Sequence, residues 1–177
     1  MEIDIKEIPS NLSPRYPKLG TLLLCGNYKL ELITDFFLKK LCGLKVLDLC
    51  FTAIHELPGS VAGLACLTAS LLMGFYKMRH VPSLAKLMTL EMLDFCCATL
   101  EEMPHGLELL CNLRYLNLDR TRLKEFPATM LSNLSNLQFL CLHQSLGGFR
   151  SVEVEEVAGL RMLESSKCHF YDVIDFN

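Results

Sequence analysis

Asp119, His143 and His169 recur at nearly the same spacing, with Cys141 close before His143. Carboxylate, imidazole and thiolate are the usual ligands of a transition metal. The series runs backwards at a similar interval through Cys96, Met73, Cys50 and Cys25. On neighbouring parallel strands, about 4.8 Å apart, these residues would form one column. A flat sheet face closes no tetrahedral cage, however, and any repeat aligns residues into columns whatever their chemistry. The column therefore argues for register, and no metal or cofactor is expected. Cys96-Cys97 reads as a redox pair or as two small outward-facing positions, and the second reading is the simpler. The chain contains no GxxxxGK(S/T) phosphate loop, HExxH, GxSxG or paired CxxC motif, so no enzyme is expected.

The element that would position such columns is the pattern LxxLxL. Its clearest copy is Leu44-Lys45-Val46-Leu47-Asp48-Leu49, followed by Thr52, Ile54, Leu57-Pro58, Val61 and Leu64. Copies begin at Leu19, Leu44, Leu67, Leu90, Leu113, Leu137 and Leu163. A period of about 20–29 residues with this consensus defines a leucine-rich repeat. The predicted fold is α/β: one solenoid domain over residues 1–177 with about seven repeats. A curved parallel sheet lines its concave side, and irregular, 3₁₀ and short helical legs form the convex side. Positions three to seven of each unit should form a strand, with positions four and six facing the core because side chains alternate.

Outward positions three, five, seven and eight then carry the binding candidates. Met92, Tyr115 and Phe139 lie side by side at position three. Asp94, Asn117, Asp119, Arg120 and His143 flank them. Aromatic anchors beside charges are what protein-binding patches use. The competing reading is that these rings pack along the solenoid and touch nothing else.

The chain has 177 residues, is 51% hydrophobic and carries net charge −3, with no basic block that would suggest nucleic acid. No apolar run approaches a membrane span, and Met1-Glu2-Ile3-Asp4 lacks the features of a signal peptide. Nine cysteines follow the repeat rather than a disulfide framework, so reduced thiols and a cytoplasmic location are expected. The sequons at Asn11 and Asn133 are then expected to stay unglycosylated. Leu41, Leu44, Leu47 and Leu49 mimic a nuclear-export spacing that any such repeat generates.

Short polar side chains at Asn27, Thr52 and Thr121 should bond turn backbone. Return legs bearing Pro58, Pro82, Pro104 and Pro127 should not be sheet, and one helical turn is expected near 105–110. Asp35 is expected to cap a helix through Leu41, and a second helix to run through 152–159. Ser70 and Ser166 occupy buried-leucine sites and should weaken their units. Ser145 to Arg150 reads as a loop. Ile5-Lys6-Glu7-Ile8-Pro9 matches only the second half of a repeat, and neither end resembles a cap, so both ends are expected to be truncated within repeats.

Leu44 to Leu49 with Thr52-Ala53-Ile54-His55-Glu56-Leu57-Pro58 resembles the repeat of plant intracellular immune receptors. Leu113-Arg114-Tyr115-Leu116 does too, as does the stretch from Glu155-Glu156-Val157-Ala158-Gly159-Leu160 to Cys168-His169-Phe170-Tyr171-Asp172. The likeness is to the leucine-rich-repeat region of coiled-coil nucleotide-binding disease-resistance proteins and covers essentially the whole chain. The Gly-x-Ile-Pro turn of extracellular plant repeats is absent. The resemblance implies protein partners: a pathogen effector or modified host target, and the receptor's own nucleotide-binding domain, whose resting state the repeats restrain. It places no catalytic residue on the repeats. A decoy fragment that binds only within a receptor, or a generic repeat scaffold, is the alternative.

Overall fold

A computed structural model describes residues 5–8, 18–78, 80–127, 130–143 and 157–168. The Ser145–Arg150 loop, Gln144, His169, Phe170 and most of the expected helix through 152–159 fall outside these residues.

Each unit contributes one short strand to a seven-stranded parallel sheet. β1 (Glu7–Ile8) and β3 (Leu32–Ile33) form a separate pair. The main sheet is β2 (Thr21–Leu23), β4 (Val46–Asp48), β5 (Ala69–Leu71), β6 (Met92–Asp94), β7 (Tyr115–Asn117), β8 (Phe139–Leu142) and β9 (Ser165–Cys168), in chain order. Equivalent positions pair throughout, as in Val46↔Ala69, Ala69↔Met92, Met92↔Tyr115 and Tyr115↔Phe139.

The leucines behave as the period requires. Leu44, Leu47, Leu49, Leu93, Leu116 and Leu140 are all 0% exposed. Burying each such side chain contributes roughly 1.5–3 kcal/mol. Leu22 and Leu24 are only partly buried, because among the described residues β2 has no strand in front of it in the sheet. Ser70 is buried between Leu47 and Leu93. Ser166 is exposed in the last strand, so the cost expected of a buried serine does not arise there.

All the strands are shorter than the expected five positions, and the chain turns sharply at position eight. Gly26, Phe51, Gly74, Cys97 and Arg120 all occupy that position, and all have positive φ, between 54° and 76°. Glycine adopts this conformation freely, whereas other residues are strained by roughly 1–2 kcal/mol. Phe51 folds its ring over Gly74, so a Cβ on Gly74 would meet Phe51 Cδ1 at 2.5 Å. Position nine then closes the corner. Asn27 Nδ2, Thr52 Oγ1 and Thr121 Oγ1 donate to the carbonyls of Leu24, Leu49 and Leu118 at 2.7, 2.9 and 2.8 Å.

The return legs hold 3₁₀ turns at Gly59–Gly63, Leu107–Leu109 and Leu131–Asn133, the second within the expected 105–110 turn. The β1–β3 pair was not expected on this side. Unit one has Thr34 where units two to five have Pro58, Pro82, Pro104 and Pro127, so its leg keeps the amide that proline lacks, and Glu31 N donates to Lys6 O at 2.7 Å.

Helix α1 is Asp35–Leu38, shorter than expected, and its cap is Thr34 rather than Asp35. The Thr34 hydroxyl accepts from Phe37 N. Asp35 instead reaches into the next unit, where its Oδ1 accepts from Ser60 N at 2.7 Å. The Ser60 hydroxyl and amide hold the Asp35 carboxyl below the usual carboxylate range. The amide bond is the well-formed one, since Ser60 Oγ has no hydrogen bond of good geometry among the described residues. A lowered folded-state pKa gives stability that is present above the unfolded value of about 3.9 and lost as pH falls through the folded one. We expect Asp35→Asn to lower the melting temperature slightly at pH 7 and to change nothing at pH 2. A deficit of equal size at both pH values would show that the charge is irrelevant.

Candidate functional site

Position five faces out in β4, β6 and β7, and its polar side chains there are occupied locally. Turning the chain leaves the position-seven amide without a ladder partner, and a buried or half-buried amide needs one. Asp48 Oδ1 accepts from Cys50 N at 3.0 Å, Asp94 Oδ1 from Cys96 N at 2.8 Å, and Asn117 Oδ1 from Asp119 N at 3.1 Å. These are Asx turns. Asp94 and Asn117 therefore hold the end of their own strands before they can serve any partner.

Their remaining atoms hold Tyr115. Its hydroxyl donates to Asp94 Oδ2 at 3.3 Å, and Asn117 Nδ2 lies 3.3 Å from both Asp94 Oδ2 and the Tyr115 oxygen. Burial, reinforced by the Asp94 charge, pushes the Tyr115 phenol above its ordinary pKa, so it stays a donor. Across the next strand Tyr115 stacks on Phe139, with centroids 4.5 Å apart and planes 5° from parallel. Met92 completes the row in register, 38% exposed. The three position-three residues thus form one apolar shelf whose central ring is fixed by a carboxylate and an amide.

The shelf is the floor of a groove of about 360 Å³, rimmed by Glu91, Arg114 and Gln138. Arg114 Nε lies 3.9 Å from Glu91 Oε2, and Gln138 Nε2 donates to Glu164 Oε1 at 3.1 Å. Both sides of the ion pair are more than half exposed, so it contributes about 0–1 kcal/mol and is open to exchange with a partner's charges. These position-two residues escape a reading that takes positions three, five, seven and eight as outward. Their signal was a column, Lys45, Thr68, Glu91, Arg114, Gln138 and Glu164, with no leucine in it.

The other candidates sit at the far end of the strands. Asp119 Oδ2 lies 3.8 Å from Arg120 Nε, and the Arg120 side chain projects, 58% exposed, from its left-handed corner. His143 is exposed beyond β8. None of the three lines the groove. Among the described residues no three His, Cys, Asp or Glu side chains are arranged to hold a metal, and His169 lies outside those residues.

Cys96 and Cys97 Sγ are 3.6 Å apart. Burial and then the Cys97 thiol push the Cys96 thiol up to about 12, and burial with Asp48 pushes Cys50 to about 12. The thiolate is the reactive form. With iodoacetamide at pH 8, exposed Cys42, Cys66 and Cys111 should label at least tenfold faster than Cys50 and Cys96, read by peptide mass spectrometry. Equal rates at Cys50 and Cys66 would mean that the sheet face is not closed as described.

A parallel sheet built from one strand per repeat, with an irregular return leg behind each, makes this a leucine-rich-repeat protein presenting an aromatic groove. No family model matches the chain. It is 34% identical over 170 residues to Disease resistance protein At4g27190 of Arabidopsis thaliana, an alignment covering 95% of this chain and 17% of that protein. It is 31% identical to Disease resistance protein RFL1 of the same plant, covering 86% of this chain and 15% of RFL1. The Leptospira interrogans LRR protein LIC12759 superposes with a TM-score of 0.70 at 23% identity, over 93% of this chain and 46% of that one. An internalin (inlF) from Listeria monocytogenes gives 0.59 at 18% identity, over 84% and 45%. The two structures share the fold. The chain is a leucine-rich-repeat segment homologous to plant disease resistance proteins, and it spans about a sixth of their length.

Proposed function

We propose that this segment is a non-enzymatic, cytoplasmic protein-interaction module of a plant immune receptor. Its groove takes up a pathogen effector or a modified host protein, and its contact with the receptor's nucleotide-binding domain restrains that switch. The observation that carries the reading is the Tyr115–Phe139 stack beside exposed Met92. An aromatic shelf of this kind lowers the entropic cost of binding, because its central side chain is already ordered. Asp94 and Asn117 act as supports for that shelf, while Asp119, Arg120 and His143 offer polar contacts beyond the groove, at the far end of the strands. Among the described residues no helix is long and apolar enough to cross a membrane.

The test is a pair of pulldowns with the intact chain. One uses the nucleotide-binding domain of a plant resistance receptor, and the other a partner selected by screening effectors and host proteins against the wild-type chain. Tyr115→Ala, Phe139→Ala and Arg120→Glu should abolish capture of the selected partner and leave the domain contact in place. Loss of the domain contact alone would assign the shelf to the receptor's interior and end the recognition reading.

A further inference from the structure

A second concavity lies off the sheet face. It lies along the flank where the strands turn, holds about 700 Å³, and draws on the legs of units two to five. Lys77 and Arg122 contribute two basic side chains, and His55 and His80 add two imidazoles. None of these four pairs with a carboxylate among the described residues. Two carboxylates share the site. Glu101 is already engaged by Lys124 Nζ at 2.8 Å, which leaves Glu56 as the only other acid in the lining. Tyr76 stands in the same wall with 61% of its surface exposed, a large ring with nothing over it in the described structure.

Unpaired cations around a concavity favour an anion, and more so where the walls exclude part of the water. A planar exposed ring favours a flat, unsaturated body to stack on. We propose that the flank concavity binds a phosphate monoester carried on an aromatic ring, with the phosphate between Lys77 and Arg122 and the ring on Tyr76. Arginine suits the dianion because its planar fork meets two phosphate oxygens at once, and the lysine adds a point charge. This site lies at the opposite end of the strands from the Met92–Tyr115–Phe139 groove and stands or falls independently of it. The same chemistry is presented by a free aryl phosphate and by a phosphorylated tyrosine in a peptide.

The test is isothermal titration of the full chain with phenyl phosphate, inorganic phosphate and a short phosphotyrosine peptide. Phenyl phosphate should saturate a single site and bind at least tenfold more tightly than inorganic phosphate. Lys77→Ala with Arg122→Ala should weaken it at least tenfold, whereas Tyr76→Ala should remove only the preference over inorganic phosphate. The affected side chains are exposed, so circular dichroism melts should match the wild type and separate lost binding from lost folding. A peptide that binds more tightly than phenyl phosphate points to a protein source, and equal binding to a free small molecule. Absence of saturation, or binding that survives the double substitution, overturns the proposal.

Discussion

Gly106→Ala should unfold the protein at a markedly lower temperature, by about 3 kcal/mol or more, which is roughly 6–12 °C for a chain of this size. Two costs combine. Gly106 sits at φ +85°, where an L side chain is strained. A Cβ there would also stand 2.6 Å from Ala85 Cα, and closer still to the Ala85 amide nitrogen. The obstacle is backbone, which cannot rotate aside, and that backbone is fixed by the Leu84 N to His105 O bond at 2.8 Å. Gly63→Ala is the control. Nothing lies within 4 Å of its added methyl, and its effect should stay within about 0.5 kcal/mol. If Gly106→Ala melts with the wild type, the close approach of the two return legs is wrong.

Leu93→Ala should cost about 4–5 kcal/mol, the upper end for a buried leucine, and about 1 kcal/mol more than Leu116→Ala. Both side chains are 0% exposed at the same position of adjacent units. They differ in what stands beside them. Leu116 lies between Leu93 and Leu140, either of which can lean into a vacated space. Leu93 has Ser70 on one side, too short to fill anything. Urea unfolding with an unchanged slope would report the difference as stability alone. The reverse order would show that the volume next to Ser70 is already occupied by neighbouring side chains.

Repetition is what made the core legible. Leucines that recur at a constant interval through Leu44, Leu67, Leu90 and Leu113 must stack, and their stacking fixes the register of everything between them. From that register the adjacency of Met92, Tyr115 and Phe139 followed. The duties of Asp94 and Asn117 did not, because they depend on an amide two residues ahead whose lack of a ladder partner appears only once the strand end is placed. Glu91 and Arg114 were hidden because position two, before the strand begins, was not counted among the outward positions. The left-handed corners at Phe51, Cys97 and Arg120 carry no glycine to announce them. Thr34 took the cap from Asp35 because the better hydrogen-bond partner of that carboxylate, Ser60, is 25 residues away in sequence.

The ring of Phe51 resting on Gly74 has a consequence for how such chains diverge. A repeat array can exchange or duplicate whole modules freely only where neighbours are interchangeable, since each module contacts only the next. Here they are not. Excising the third module would set Phe51 against Cys97, which carries a Cβ where glycine now leaves room. A graft that keeps the Phe51 corner intact must therefore move the second and third modules together.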